Sequence, residues 1–253
     1  MFLPILALCV ACIGLPLLQA WRLLRLRSRD RLGWLLAAAD ATVFVAVVML
    51  VGRWDIAGYG TRLVLVAILL ACLLRSGLAH RGLPWRRTGR PPSGRERWGR
   101  RGNLASLLVF GAVLAYLLAG MTPAPPARDV AFPLRDGRYA VGQGGVVSLL
   151  NQHAAHRQQA HAADIVALDD FGFRARGILP DRLEAYAIWN AVVSSPCAGT
   201  VVTVRDGLPD LAPGEMDPAH PAGNHVQLDC GGFHVLLAHL REGSVRVRAG
   251  QRV

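Results

Sequence analysis

Residues 195–253 read SPCAGTVVTVRDGLPDLAPGEMDPAHPAGNHVQLDCGGFHVLLAHLREGSVRVRAGQRV, and short β-branched runs alternate there with Gly and Pro punctuation. Pro196-x-x-Gly199 leads into a run over 200–204, Gly223-Asn224-His225 opens a second over 225–228, a third covers 233–240, and a fourth, 245–247, follows Gly243. Runs of this length bounded by Gly, Pro, Asn and Asp predict strands. Several in succession predict an antiparallel β domain. Residues 205–223 are expected to form a long loop between the first two.

Upstream, residues 138–150 (RYAVGQGGVVSLL) predict a strand, a Gly turn and a second strand. Residues 151–163 form a polar loop carrying His153, His156 and His161, and residues 164–168 (DIVAL) a short strand that opens with an acid. Residues 169–180 read as an insertion loop, and residues 183–190 as a helical turn or an irregular approach to Pro196. The Pro-rich stretch TPAPPAR at 122–128 predicts a stiff, extended tether.

Residues 1–127 are a different material, apolar blocks separated by arginine clusters. All 28 basic residues are arginine; 16 of them lie in 1–127 with four acids, and 12 lie in 128–253 with 13 acids. The net charge of +11 therefore belongs to the N-terminal part. A nucleic-acid-binding protein would need a basic patch on its folded domain. The near-neutral C-terminal part has none, so no nucleic-acid partner is expected.

Four segments approach the roughly 20 apolar residues that a spanning helix needs: 1–21, 32–51, about 56–74, and 104–121. The third is interrupted by Arg62. The first has no basic residue ahead of its apolar run, unlike a secretory signal. The loop after the first segment carries Arg22, Arg25, Arg27, Arg29 and Arg31. The loop after the third carries nine arginines, among them Arg87 and Arg90. By the positive-inside rule both loops are cytoplasmic, which places the N-terminus and everything after Met121 outside. The expected organisation is a four-helix transmembrane region over 1–121, a tether over 122–137 and a β domain over 138–253. Its location is a multi-pass inner or plasma membrane, with the C-terminal domain periplasmic or extracellular.

Within the second segment, Asp40 is an acid at membrane depth and by default a functional-site candidate. Arg62 and interfacial water are the partners open to it. Cys9, Cys12 and Cys72 read as apolar fillers within spans. Cys197 and Cys230 lie in the exported part, where disulfides persist. One precedes a strand and the other ends one, a placement open to a bridge between neighbouring strands and to two free thiols.

Taken together, Pro196-x-x-Gly199 before a β-branched run, Gly223-Asn224-His225 before another, and Ala238-His239-Leu240 followed by Gly243-Ser244-Val245 and Gly250 resemble the core of the lysostaphin/LytM-type zinc endopeptidases. Those enzymes cut peptide cross-links in bacterial cell walls. The same Pro-x-x-Gly-Thr-Val pattern also resembles biotinyl and lipoyl carrier domains, but a carrier needs an acceptor lysine and the chain has none. The fold class expected is mixed, with N-terminal transmembrane α-helices followed by a mainly antiparallel β domain with a LytM-like core.

The resemblance implies a zinc site with three protein ligands and one position open to water. In that family a His-x-x-x-Asp element supplies two ligands, and the second His of a late His-x-His supplies the third. Asp164 matches the Asp. Ala160 stands where the His is expected, and His161, one residue later, faces the other way on an extended segment. The pattern Asn-x-His followed by Ala-x-Asp-Ile resembles a divergent membrane-attached branch of the family, which makes His153 the second expected ligand. A solvated His-rich loop is the alternative. His239, in Leu-Ala-His-Leu, matches the strand-borne catalytic His. By strand alternation His234 is expected on the opposite face from His239, and His225 on the strand surface.

No His-x-His occurs before Val253. The expectation is a C-terminally truncated enzyme or, failing that, a degenerate member of the family. Two functions follow from the resemblance. One is a membrane-anchored zinc metalloendopeptidase-like protein acting on peptidoglycan cross-links. The other is a non-catalytic LytM-like module that binds cell wall or regulates its hydrolysis.

Overall fold

A computed structural model describes residues 2–86, 91–122 and 126–253. Arg87, Arg90 and the centre of the Pro-rich tether lie outside the described residues. The chain divides into two compact units that interleave in sequence. The first comprises Met1–Pro125, Ala140–Val166 and Asp170–Phe173, and the second Pro126–Tyr139, Ala167–Asp169 and Arg174–Val253.

The helical unit contains α1 (Phe2–Cys9), a π turn (Val10–Gly14), α2 (Leu15–Arg25), α3 (Arg31–Val51), α4 (Trp54–Ala57), α5 (Tyr59–His80) and α6 (Gly94–Gly120). The π turn sits where Pro16 has no N–H to donate to the preceding turn, a disruption that a wider turn absorbs. Among the described residues four helices are long and apolar enough to cross a membrane: Ile5–Arg25, Arg31–Val51, Tyr59–His80 and Gly94–Gly120. The first ends four residues later than the apolar count suggests, at Arg25. The third continues through Arg62 and Arg75, since guanidinium stems pack along apolar surface while the charged heads reach water.

Capping accounts for two of the helix starts. Asp30 Oδ1 accepts from the Gly33 amide at 2.8 Å, and its other oxygen pairs with Arg100 of α6. Ser93 and Glu96 form a reciprocal capping box at the start of α6. Helix α3 packs against α6 and α2 against α5. Cys12, Leu23, Ala41, Val45, Trp54 and Leu65 are among the residues that form the core between them. Asp40 is buried in α3, and its Oδ1 has no hydrogen-bond partner among the described residues. Arg62, offered above as its partner, lies over the Tyr59 ring instead.

Strand β1 (Arg138–Gln143) pairs with β2 (Asp164–Leu168). The second strand expected within 138–150 does not form. Gly145 turns the chain at φ 102°, and the amides of Leu150 and Asn151 both donate to the Val147 carbonyl, which closes a turn where an extended run was expected.

In the second unit, β3 (Thr200–Arg205), β4 (Asn224–Asp229) and β5 (His234–Leu240) form an antiparallel sheet in that order. Residues 250–253 lie along the free edge of β3. Val201 donates to Gln251 at 2.8 Å, and Gly199 and Val253 exchange two bonds of 3.0 Å. The expected strand at 245–247 is absent. The amides of Gly243 and Val245 donate instead to the carboxylate of Asp206, at 2.8 and 3.2 Å, so no strand partner is needed to satisfy them. Burial raises the Asp206 pKa, but the backbone donors Gly207, Gly243 and Val245 together outweigh it and hold the carboxyl below its ordinary 3.8. Val245 and Val247 pack on Val201, Val226 and Leu228, which are the centre of this core.

Cys197 and Cys230 are bridged, with Cα atoms 5.8 Å apart. The register pairs Thr200 with Asp229, so the bridge lies just beyond the end of the β3–β4 ladder. Gly199 belongs to the same junction, since a Cβ there would lie 2.3 Å from the Asp229 carbonyl oxygen. The bridge closes a loop of 33 residues, and chain-entropy arithmetic assigns such a loop about 3–4 kcal/mol. Reduction, or the double change Cys197→Ser and Cys230→Ser, should lower the unfolding free energy of the β unit by about that amount. Denaturant unfolding followed by circular dichroism reads this directly, and identical midpoints with and without reductant would contradict it.

Candidate functional site

The loop from Gly144 to Ala163 is organised around Asn151, which is 0 % exposed. Its Nδ2 donates to the carbonyls of Gly145 at 2.9 Å and Ala162 at 3.1 Å, with a longer contact of 3.4 Å to Ala160. Its Oδ1 accepts the amide of His153 at 3.1 Å and so starts the short 3-10 turn Gln152–Ala155. One carboxamide thus ties the beginning, middle and end of the loop together. Gln143 at the end of β1 adds a second tie, accepting the Gln152 amide at 2.9 Å. Ala160 has no side chain to offer a metal, and its role here is the carbonyl it turns toward Asn151.

This folding brings the two expected metal ligands together. His153 Nε2 lies 3.0 Å from Asp164 Oδ1, although 11 residues separate them. The other ring nitrogen, Nδ1, is 3.2 Å from Gln159 Oε1. Both neighbours are acceptors. The ring satisfies both as an imidazolium, or as a neutral imidazole whose Nδ1–H donates to Gln159 while Nε2 and Asp164 face a cation together. The side chain of Asp164 is 46 % exposed and that of His153 is 21 % exposed, so the pair is reachable from solvent. His156 and His161 are exposed as well. Arg53, just ahead of α4, feels the charge of Asp164. Its pKa is held above the ordinary value chiefly by its hydrogen bond to Asp55, and the charge of Asp164 adds to the effect.

His239 belongs to the other compact unit and is positioned by an irregularity in β5. The register pairs Asn224 with Leu240 and Val226 with Leu237, so β5 takes three steps where β4 takes two. That extra residue is a β-bulge, and His239 within it has a left-handed backbone at φ 58°. Its amide donates to the Ala222 carbonyl at 3.0 Å, and Gly223 packs beside its ring. The loop before β4 is tied down by Asn224, which exchanges bonds of 2.8 and 2.9 Å with the backbone of Leu208.

The bulge also overturns the alternation argument for His234. Along β5, His234, Leu236 and His239 are exposed, while Val235, Leu237, Ala238 and Leu240 are half-buried. The inserted residue shifts the phase by one, and His234 and His239 share the exposed side. His225 Nδ1 donates to the Gly223 carbonyl at 2.8 Å. A second His–Asp pair, His220 Nδ1 to Asp217 Oδ2 at 2.7 Å, forms where the sequence reads Asp-x-x-His. Asn151, part of the Asn-x-His pattern in the sequence, is the centre of the loop in the structure.

Comparison with protein-family models, curated proteins and solved structures finds no match for this chain. Whether zinc suits the residues present rests on their own chemistry. Imidazole nitrogen and carboxylate oxygen are ordinary zinc donors at about 2.0–2.1 Å, which puts two donors of a tetrahedral site about 3.3 Å apart. The His153–Asp164 separation of 3.0 Å is close to that. Gln159 on Nδ1 is the kind of outer partner that fixes the tautomer of a ligating His. The pair therefore fits as two donors of such a site. Among the described residues no third His, Cys, Asp or Glu completes a group with them.

Asn151→Ala removes the buried side chain that ties Gly145, His153 and Ala162 together, and leaves buried backbone groups unpaired at a cost of about 1–3 kcal/mol. Hydrogen exchange should accelerate across residues 144–163 while α3 and α5 keep their protection; unchanged exchange in the loop would contradict the role assigned to Asn151. For His239, the left-handed backbone costs an ordinary residue on the order of 1 kcal/mol or more, and glycine carries no such penalty. His239→Gly should therefore be more stable than His239→Ala by about 1 kcal/mol in denaturant titrations. The reverse order would show that the backbone there is unstrained.

Proposed function

We propose that this chain is a membrane-anchored, zinc-dependent peptidase-like protein of the lysostaphin/LytM type, acting on the peptide cross-links of cell-wall peptidoglycan. The observation that carries the reading is the 3.0 Å approach of His153 Nε2 to Asp164 Oδ1. Those two residues were singled out by their match to a metal-binding pattern, and the fold of the loop, centred on Asn151, makes them neighbours. The left-handed bulge at His239 adds weight, because strained backbone in a bulge is a recurrent means of aiming a side chain at chemistry.

In this reading His153 and Asp164 hold the zinc, and Gln159 keeps the His153 ring oriented. When bound, zinc supplies a water of lowered pKa and polarises the peptide carbonyl. His239 holds or moves a proton at its imidazole, the role that the resemblance gives the strand-borne His. Arginine asymmetry supports the location: the loops between the first and second and between the third and fourth helices are cytoplasmic, so that the β unit faces the wall.

Metal analysis of the purified chain tests the reading. Zinc should be retained by the native protein and lost in both Asp164→Ala and His153→Ala. His239→Ala should keep the metal and lose cleavage of cross-linked muropeptides. Equal zinc in the native and Asp164→Ala proteins would remove the metal site from consideration. Binding of muropeptides without cleavage, indifferent to His239, would favour the non-catalytic wall-binding or regulatory module instead.

A further inference from the structure

We propose that the arginine-rich end of the helical unit is a binding surface for anionic phospholipid headgroups, centred on the first turns of α6. The inference rests on the reading that these helices span a membrane, and is separate from the peptidase chemistry. The C-termini of α2 and α5 and the N-termini of α3 and α6 meet at this end. The Arg31 amide donates to the Pro84 carbonyl at 2.9 Å, the Ser28 amide to His80 Nε2 at 3.3 Å, and Arg29 pairs with Glu96 at 3.3 Å.

Three exposed tryptophans lie here, and each carries a guanidinium over its ring. Arg25 sits 6.0 Å from the Trp21 centroid, Arg31 5.7 Å from Trp85, and Arg101 5.8 Å from Trp98. Indole is the side chain best suited to the boundary between hydrocarbon and headgroup. A guanidinium stacked on it still presents its in-plane N–H edge to a phosphate, with the fork geometry that phosphate oxygens match.

Lengths place α6 in the right layer. The apolar stretch 104–120 spans about 26 Å at 1.5 Å per residue, close to a hydrocarbon core of about 30 Å. Counting back from Leu104, Arg101 lies about 4–5 Å beyond that stretch and Trp98 and Arg97 about 9–11 Å beyond, within the headgroup zone. The charges there divide into two sets. Arg100 is held by buried Asp30 and serves the packing of α3 on α6. Arg95, Arg97 and Arg101 are exposed and make no ion pair among the described residues. The flanking apolar helix and the exposed Trp98, at 72 %, call for an amphipathic anionic partner, which a nucleic acid is not.

The test uses the full chain in mild detergent. Native mass spectrometry should show phosphatidylglycerol retained over phosphatidylcholine of the same acyl chains. One arginine at an anionic surface contributes roughly a fivefold factor, and the preference should be at least that large. It should disappear in Arg95→Gln/Arg97→Gln/Arg101→Gln and persist in the charge-matched control Arg128→Gln/Arg135→Gln/Arg248→Gln. Circular dichroism confirms that the triple variant keeps its helices; should it not, Arg97→Gln and Arg101→Gln singly should each weaken the preference severalfold. Equal retention of both lipids, or a preference that survives the triple change, overturns the proposal. So does binding of an RNA oligonucleotide at these arginines without lipid preference. Resistance of the membrane-bound chain to carbonate extraction is read in parallel, so a failure of lipid selectivity is distinguished from a failure to span.

Discussion

The candidate site depends on one buried carboxamide. Asn151 has no contact with solvent, and its hydrogen bonds run to Gly145, His153 and Ala162, three points along a loop with little regular structure. A polar loop of this length has few apolar groups to bury, and hydrophobic collapse cannot give it a unique shape. A buried amide can, because its donors and its acceptor must each be matched and a mismatch costs about 1–3 kcal/mol. The closeness of His153 and Asp164 follows from that constraint.

In the β unit the same logic operates through the backbone. The disulfide and the close approach at Gly199 fix the junction of β3 and β4. Asn224 and Asp206 hold the neighbouring loops by taking up backbone amides that have no strand partner. Against that frame β5 carries an extra residue, and His239 occupies the left-handed position it creates. Proteins tolerate such strain where the surroundings over-determine the backbone. Here the tether is the bond from the His239 amide to Ala222, which lies in the loop that Asn224 secures.

The helical unit divides its charges by burial. Asp30 and Arg100 meet in a protected place and lock two helices together, whereas the arginines around Trp98 stay at the surface with their hydrogen-bonding capacity available. Asp40 is the exception, a buried carboxyl with an unpartnered oxygen in α3. No interaction among the described residues accounts for it.

Composition and periodicity were enough to read the apolar helices, the arginine bias between them, the β-rich C-terminal part and the strands β2 to β5. These are properties of consecutive residues, and water sorts them by local pattern alone. The choice of Asp164, His153 and His239 as candidate site residues rested on residue type and spacing alone. Three features were decided only by the tertiary structure. The 3.0 Å meeting of His153 with Asp164 needs a loop closed by Asn151. The shared exposure of His234 and His239 needs a bulge that alternation does not foresee. The fate of residues 245–247 was settled by a carboxylate some forty residues earlier in the chain, at Asp206. Each is set by a hydrogen-bond partner distant in sequence, and such partners are chosen by packing rather than by the local run of residues.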